Sequence, residues 1–196
     1  MTSTGSYIGG KTMLVTGGTG TVGSTIVRRL LRTSAAAIRI YSRDEHKQFE
    51  LRQELPADDR LRFLIGDTRD LERLRRACDG VNVVFHAAAM KHVLACEYNP
   101  FEAIQTNIMG GRNVIDAAIN QGVQRILALS TDKAVNPINL YGATKRCAEK
   151  ISCRPMPMRE RKRLASTARV WKRCGQPRQR DSRIPGAVQE GPDHGH

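Results

Sequence analysis

The sequence predicts an α/β protein with a Rossmann-like, doubly wound parallel sheet that is incomplete at its carboxyl-terminal side. Three observations lead to this prediction. Short β-branched or apolar runs alternate with segments of helical periodicity, a glycine-rich loop follows the first run, and the alternation ends near residue 150. Strands separated by helices of this length are typical of βαβ units, whose helices cover both faces of a parallel sheet.

Five short runs are predicted to be strands: residues 12–16, 37–41, 61–65, 81–86 and 125–130. Between them, three segments carry apolar residues on one helical face. These faces are Val22, Ile26, Leu30 and Leu31; then Leu71, Leu74 and Ala77; then Ile104, Ile108, Val114, Ile115 and Ala118. Because crossovers between parallel strands are nearly always right-handed, this order predicts one sheet with helices on both sides.

The loop after the first predicted strand reads "TGGTGTVG" and has a GxxGxxG pattern. Gly17 permits a tight turn, Gly20 lets the backbone approach a pyrophosphate, and Gly23 lets the helix pack closely on the sheet. The helix start then offers free N–H groups and a positive dipole end to phosphates. The loop therefore predicts a dinucleotide site, with these first contacts: Thr16, Gly17, Gly20, Thr21, Val22 and Gly23.

The second predicted strand ends in "IYSRDEHKQ", which bears on the identity of the dinucleotide. An acidic residue at this place would select the 2′-hydroxyl of NAD, but the chain has Ser42 and Arg43 there. A hydroxyl and a guanidinium favour a 2′-phosphate, so the sequence predicts NADP rather than NAD, with Lys47 as a further contact. The alternative is an ordinary solvated run of charges.

The ends of the third and fourth predicted strands add further cofactor contacts. Asp67 is predicted to accept a hydrogen bond from the adenine amino group. The small side chains of Ala87, Ala88 and Ala89 are predicted to leave room for the nicotinamide ribose, and His86 is expected to be a packing residue.

A longer pattern resembles a known family. The GxxGxxG loop, Asp67, "HAAAMKHV" and the Tyr141-xxx-Lys145 pair resemble the extended short-chain dehydrogenase/reductases. The segments "SRDEHKQ", "AAAMKHV", "CEYNPFEAIQTNIMGGRNV" and "STDKAVNPINLYGATKRCAEK" resemble more specifically the inverting UDP-N-acetylglucosamine 4,6-dehydratases of polysaccharide biosynthesis. Over about residues 10–150, the resemblance implies an NADP-dependent lyase that oxidises a UDP-sugar at C4, eliminates water across C5–C6 and reduces C6. It also implies a homo-oligomer.

The resemblance implies roles for five residues. Tyr141 and Lys145 lie one helical turn apart, so both can face the cofactor. The Lys145 ammonium is expected to lower the pKa of the Tyr141 phenol, which then serves as base for the sugar 4-hydroxyl. By the resemblance, Lys133 is the base at C5, Asp132 is the acid at the 6-hydroxyl, and Thr131 bonds the 4-oxygen.

Several alternatives stay open. An epimerase needs no Asp132–Lys133 pair, so this pair favours a dehydratase, although it is also compatible with a surface ion pair in a loop. The other functions considered are a nucleotide-sugar epimerase and a non-catalytic NADP-binding module. Lys91 and Tyr98 either contact the substrate or order a loop. Asn107 occupies a position where the superfamily often keeps an asparagine for a structural water relay.

Residues 151–196 differ from residues 1–150 in composition and form the second predicted segment. They hold 11 basic and 4 acidic residues, against 21 and 15 in the first segment, and five of the eight prolines. Codons permitted for this segment, read in other frames, can encode the family-like stretches "FVQANAYAGEKETRFN" and "VYGNVVGSRGSVIP". We therefore expect an out-of-frame, disordered tail and a chain with little or no turnover. Sequencing the DNA around codons 148–172 checks this expectation.

Composition and cysteine spacing limit which partners, metal sites and locations the sequence predicts. The alternative is that residues 151–196 are an extension that binds RNA or a membrane, with an affinity that falls steeply as salt is added. We expect no nucleic-acid or membrane partner. No run approaches the roughly 18 to 20 apolar residues of a membrane span, and no export signal is evident. The five cysteines form no CxxC pair, so the sequence predicts reduced thiols, no metal site and a cytoplasmic location.

Overall fold

A computed structural model describes residues 7–152 and places their strands in one parallel sheet. The strands are β1 Thr12–Thr16, β2 Ala37–Ser42, β3 Leu61–Ile65, β4 Val83–His86 and β5 Arg125–Ala128. Their order is β3-β2-β1-β4-β5, and every neighbouring pair is parallel. The predicted Rossmann-like fold is confirmed. The strand order reverses between β1 and β4, which is where ligands bind in sheets of this kind.

After β1 the described residues form seven α-helices: α1 Thr21–Leu30, α2 Glu45–Glu54, α3 Leu71–Cys78, α4 Val93–Tyr98, α5 Pro100–Ile104, α6 Gly110–Asn120 and α7 Leu140–Ser152. A π-helical turn, Gln105–Met109, joins α5 to α6, and a 3₁₀ turn covers Asp132–Ala134. The sequence predicted neither the π turn nor α2, which starts within the charged run. Asp44 caps α2, because its carboxylate accepts a hydrogen bond from the backbone N–H of Lys47 at 3.0 Å.

The helices bury both faces of the sheet. On one face, Met13 and Val15 of β1 pack in a cluster that includes Val27 of α1 and Leu51 of α2. On the other face, Leu14 lies in a cluster with residues of α3 and α6. A strand covered on both sides reads as a continuous apolar run, as "MLV" does in β1. Each such buried side chain stabilises the fold by about 1.5 to 3 kcal/mol.

The predicted tail, residues 151–196, lies outside the described residues apart from Ile151 and Ser152. Its order and its reading frame therefore stay predictions. Within residues 7–152, no helix is long and apolar enough to cross a bilayer. The same residues contain no cluster of three or more side chains suited to holding a metal ion.

Candidate active site

A cleft of about 590 Å³ opens at the carboxyl ends of the strands. Each of the five strands contributes the residues that follow it, and α7 closes one side with Tyr141 and Lys145. Fifteen of the predicted site residues line it: Gly17, Gly20, Thr21, Val22, Gly23, Ser42, Arg43, Lys47, Asp67, Ala87, Ala88, Ala89, Lys91, Tyr141 and Lys145. Residues from distant parts of the sequence thus meet where the fold directs ligands.

The glycine loop has the geometry of a phosphate cradle. Gly17 has φ +66°, and a Cβ atom there would lie 2.6 Å from the Ala88 nitrogen, so the loop packs directly on the segment after β4. A Cβ at Gly23 would collide with the Gly17 carbonyl. Gly20 is the N-cap of α1 and has no side chain to occupy the first N–H groups of the helix. Those groups remain available to an anion in the cleft.

Three cationic or hydroxyl side chains gather where β2 ends. Ser42 is buried at the cleft wall, while Arg43 and Lys47 are more exposed and line the same end. The Lys47 ammonium lies 3.4 Å from the Asp44 carboxylate, which caps the same helix. This end of the cleft offers two cationic side chains to a phosphate, beside the carboxylates of Asp44 and Asp67, which also line it.

Asp67 lies at the same end of the cleft and pairs with two arginines. Its carboxylate accepts hydrogen bonds from Arg69 Nη2 at 2.9 Å and Nε at 3.1 Å, and lies 3.7 Å from Arg43 Nη1. Arg69 also donates to Glu102 on α5 at 2.6 Å. Burial acts to raise the pKa of Asp67, but the hydrogen bonds and charge of Arg69, with the charge of Arg43, outweigh it and leave that pKa lowered. Asp67 is therefore ionised at neutral pH.

The π-helical turn places two polar side chains inward. Asn107 is buried and bonds the backbone of Met90 at both ends of its amide, at 2.8 and 3.0 Å, and Thr144 Oγ1 at 3.0 Å. The neighbouring Thr106 lines the cleft, and its buried hydroxyl has no hydrogen-bond partner among residues 7–152. Sequence reasoning missed Thr106, because no motif marks it. An unpaired buried hydroxyl at a cleft wall is suited to meet a polar ligand.

Thr16 and His86 face the interior of the protein. Thr16 is fully buried, does not line the cleft, and bonds His86 Nδ1 through Oγ1 at 2.7 Å. The structure therefore does not bring the predicted cofactor residue Thr16 to the site through its side chain. His86 has the packing position that the sequence indicates. Burial, and the Lys145 charge to a smaller extent, lower the pKa of His86 to about 3.

We expect His86 to make the protein acid-sensitive. The folded-state pKa of about 3 lies below the ordinary value of 6.5, so the unfolded state binds the proton more tightly. Stability is complete above pH 6.5 and is lost as pH falls towards 3, by roughly 2 kcal/mol at about pH 5. Urea unfolding of the wild type and of His86→Gln, at about pH 7 and pH 5, measures this difference. An equal loss for both proteins would contradict it.

The segment after β5 packs closely against the start of α7. A Cβ at Gly142 would collide with the Lys133 carbonyl, so the 3₁₀ turn and Tyr141 are held together. Thr131 Oγ1 donates to the Asp132 carboxylate at 2.8 Å. The Lys133 backbone N–H donates to the same carboxylate at 3.0 Å. The predicted catalytic residues Thr131, Asp132 and Lys133 follow Ser130, which lines the cleft, but do not themselves belong to its lining.

The pKa of Tyr141 differs from the sequence prediction, in which the Lys145 ammonium lowers it. Burial raises the pKa of Tyr141, while a hydrogen bond with Thr131 acts to lower it and the Asp132 charge to raise it. Lys145 does not lower that pKa here, because its ammonium donates to the Leu129 carbonyl at 2.6 Å instead. Burial lowers the pKa of Lys145 itself, against the opposing charge of Glu149. A hydrogen bond from Thr131 pulls down the pKa of Asp132.

The two predicted substrate contacts separate in the structure. Lys91 lines the cleft, whereas Tyr98, at the end of α4, has 84% of its surface exposed and lies outside the lining. A substrate contact by Tyr98 is therefore not favoured by its position.

The residues present fit a nicotinamide dinucleotide on observations of this structure alone. A Cβ at Gly17 would fill the cradle, and the first N–H groups of α1 have no side-chain cap. The buried Thr106 hydroxyl has no hydrogen-bond partner among residues 7–152. Lys145 adds a buried cation at the opposite side. The glycine loop is therefore suited to a pyrophosphate, and Tyr141 and Lys145 line another part of the same cleft.

Comparison with known proteins extends this assignment. The model of the family described as "Polysaccharide biosynthesis protein" matches residues 13–175. The chain is 54% identical, over 143 residues, to UDP-N-acetylglucosamine 4,6-dehydratase (inverting) of Campylobacter jejuni subsp. jejuni serotype O:23/36, covering 72% of this chain and 42% of that protein. It is 47% identical, over 146 residues, to UDP-glucose 4-epimerase of Rickettsia akari, with the same two coverages. The chain thus spans about two fifths of these relatives' length.

A solved structure is also similar. The dTDP-glucose 4,6-dehydratase DesIV from Streptomyces venezuelae, with NAD and TYD bound, superposes with a TM-score of 0.68 at 28% identity. The match covers 72% of this chain and 50% of that one. Dehydratases and epimerases of nucleotide sugars therefore share the fold described above.

Proposed function

The chain belongs to the polysaccharide biosynthesis protein family, and we propose that it acts within it as an NADP-dependent UDP-sugar 4,6-dehydratase of the UDP-N-acetylglucosamine type. The observation that carries this proposal is the close packing of the Asp132–Lys133 turn on Tyr141 beside the cleft. An epimerase has no step that needs a second base and a second acid. The similarity to the Campylobacter dehydratase supports the same reaction.

The proposed roles follow from what each side chain offers. The dinucleotide, when bound, supplies hydride transfer. Tyr141 accepts the proton of the sugar 4-hydroxyl, a role that requires the bound ligand to lower the pKa that burial raises. Lys145, already buried at the cleft, holds the nicotinamide ribose.

Elimination of water from the 4-ketone needs the second pair of residues. The ketone acidifies the C5 proton, which Lys133 removes, and Asp132 protonates the 6-hydroxyl as it leaves. Asp132 must be protonated for this role, yet its pKa is lowered in the described structure by the bond from Thr131. We propose that the bound sugar displaces that bond and buries the carboxyl group, because both changes raise the pKa.

Product analysis separates the candidate functions. The protein is incubated with UDP-N-acetylglucosamine and NADP⁺, and the products are followed by NMR. Turnover is expected to be low, because residues 151–196 depart from the family pattern, and the product is expected to be a 4-keto-6-deoxy sugar whose formation stops in Lys133→Ala. Formation of the 4-epimer instead would favour the epimerase, in line with the Rickettsia relative. Binding of NADP⁺ without any product would favour the non-catalytic module.

NADP is proposed over NAD on the charge at the end of β2, although the solved DesIV structure holds NAD. Arg43 and Lys47 line the cleft after β2, and the one acidic side chain between them that lines it, Asp44, accepts the helix-capping bond and lies 3.4 Å from the Lys47 ammonium. Each hydrogen bond to a charged group contributes about 1.5 to 3 kcal/mol. We expect Arg43→Ala to weaken NADP⁺ binding by about tenfold or more and NAD⁺ binding by less than about twofold.

Isothermal titration of both dinucleotides measures this selectivity. Lys150→Ala, an exposed change at the far end of α7, is the control of equal charge and should alter neither affinity. Equal weakening of NADP⁺ and NAD⁺ by Arg43→Ala would contradict an NADP site. Association into a homo-oligomer and a cytoplasmic location stay predictions.

A further inference from the structure

A buried glutamine, to which the proposed reaction gives no role, ties together the ends of β2 and β3. Gln48 lies in the first half of α2 and is 5% exposed. Its Nε2 donates to the Ser42 carbonyl at 2.9 Å and to the Leu64 carbonyl at 2.9 Å. The same nitrogen lies 3.0 Å from the Ser42 hydroxyl oxygen. Three acceptors from two strands thus surround one amide nitrogen.

This arrangement fixes the direction of the Ser42 hydroxyl. The two carbonyl oxygens require the nitrogen, not the oxygen, of the Gln48 amide to face them. The amide nitrogen has two N–H donors, which the two carbonyls can occupy, and no lone pair to accept with, so the Ser42 proton cannot be directed at Nε2. The hydroxyl proton must then point elsewhere. No other hydrogen bond of the Ser42 hydroxyl is found within residues 7–152, and Ser42 lines the cleft.

We propose that Gln48 is a positioning residue for cofactor specificity, which acts by turning the Ser42 proton towards the 2′-position of the bound dinucleotide. A phosphate oxygen only accepts hydrogen bonds, so it is served best by a hydroxyl committed to donating. A ribose hydroxyl both donates and accepts, and it gains less from such a partner. Gln48 therefore favours NADP although it touches no ligand, and the inference builds on the NADP preference proposed above.

The experiment is a double-mutant cycle read as a ratio of affinities. Dissociation constants for NADP⁺ and NAD⁺ are measured by isothermal titration for the wild type, Gln48→Met, Ser42→Ala and the double variant. We expect Gln48→Met to lower the NADP⁺/NAD⁺ affinity ratio by about tenfold, the factor of one charge-assisted hydrogen bond. In the Ser42→Ala background, Gln48→Met should leave the ratio unchanged, because Gln48 acts through that hydroxyl.

Two further variants keep the test decisive. Gln48→Glu retains the shape but introduces a carboxylate that draws the Ser42 proton away from the cleft, so it should lower the ratio at least as much as Gln48→Met. Arg60→Met is the matched control, because Arg60, just before β3, also donates to carbonyls, those of Leu31 and Thr33 between α1 and β2, but does not line the cleft. It should lower stability without altering the ratio.

The outcomes separate this inference from the function on which it builds. A wild type that binds NAD⁺ as tightly as NADP⁺ overturns the NADP proposal itself. A wild type that prefers NADP⁺, with Gln48 variants that weaken both dinucleotides equally, leaves the cofactor proposal standing and assigns Gln48 a structural role only. Circular dichroism confirms that each variant is folded before it is titrated, and a Gln48→Met protein that does not fold is replaced by Gln48→Glu in the cycle.

Discussion

Gly17→Ala is expected to abolish dinucleotide binding and to destabilise the protein by roughly 2 to 4 kcal/mol. Part of the cost is the positive φ of +66°, which a residue with a Cβ adopts at about 1 to 2 kcal/mol. The rest comes from contact, because the new Cβ would lie 2.6 Å from the nitrogen and 2.7 Å from the Cα of Ala88. Both are backbone atoms, so relief requires the loop after β4 to move away from the phosphate cradle.

Gly122→Ala separates the cost of the positive φ from the cost of the steric contact. Gly122 has φ +70° and open space around its missing Cβ, so its replacement costs the conformational strain alone. Urea unfolding of both variants and titration with NADP⁺ provide the comparison. We expect Gly122→Ala to lose about 1 kcal/mol and to bind NADP⁺ normally. Equal stability losses, with normal binding by Gly17→Ala, would show that the approach to Ala88 has no bearing on the site.

Lys145→Met is expected to weaken NADP⁺ binding by at least about tenfold, because it removes a buried cation that lines the cleft. Its effect on stability should depend on pH. Burial lowers the folded-state pKa of Lys145 below its ordinary 10.5, so the folded wild type carries a penalty for the charge at neutral pH. This penalty is relieved as pH rises from the folded-state pKa to 10.5.

The stability of Lys145→Met relative to the wild type should therefore be greatest near neutral pH and decline in alkaline solution. Thermal unfolding over that range, together with NADP⁺ titration, tests both parts. Lys150→Met on the same helix is exposed and provides the control, with no change expected in either measurement. A pH-independent difference between Lys145→Met and the wild type would mean that the buried ammonium is not penalised. Unchanged NADP⁺ affinity would exclude Lys145 from the cofactor site.

Strands and the glycine loop were predictable because their signals are local. β1 and β3 have the predicted bounds, and in β1 the apolar run covered on both faces ends where its burial ends. Helix α2 was not predictable from apolar periodicity, because the buried face of this helix includes a glutamine and the remainder is charged. Its start is marked instead by the Asp44 cap.

The missed site features depend on contacts between distant residues. Thr16 stands beside the glycine loop in sequence, but strand alternation turns its side chain inward, where His86 of the adjacent strand meets it. Thr106 belongs to no sequence motif, and only the fold brings it to the cleft. The convergence of Tyr141 with the Asp132 turn was implied by resemblance, and its physical cause is the absence of a side chain at Gly142.

The wide turn at Gln105–Met109 has a consequence for how this protein tolerates deletions. A π-helical turn holds one residue more than an α-helical one, and here it lets the consecutive side chains of Thr106 and Asn107 both lie inside the protein. Deleting one residue of this turn would return the helix to regular winding with α5 and α6 still in phase, whereas a deletion within α6 would rotate the residues on one side of it by about 100°. This turn is therefore the place in the helix that best accepts a one-residue deletion, at the cost of one of the two inward positions held by Thr106 and Asn107.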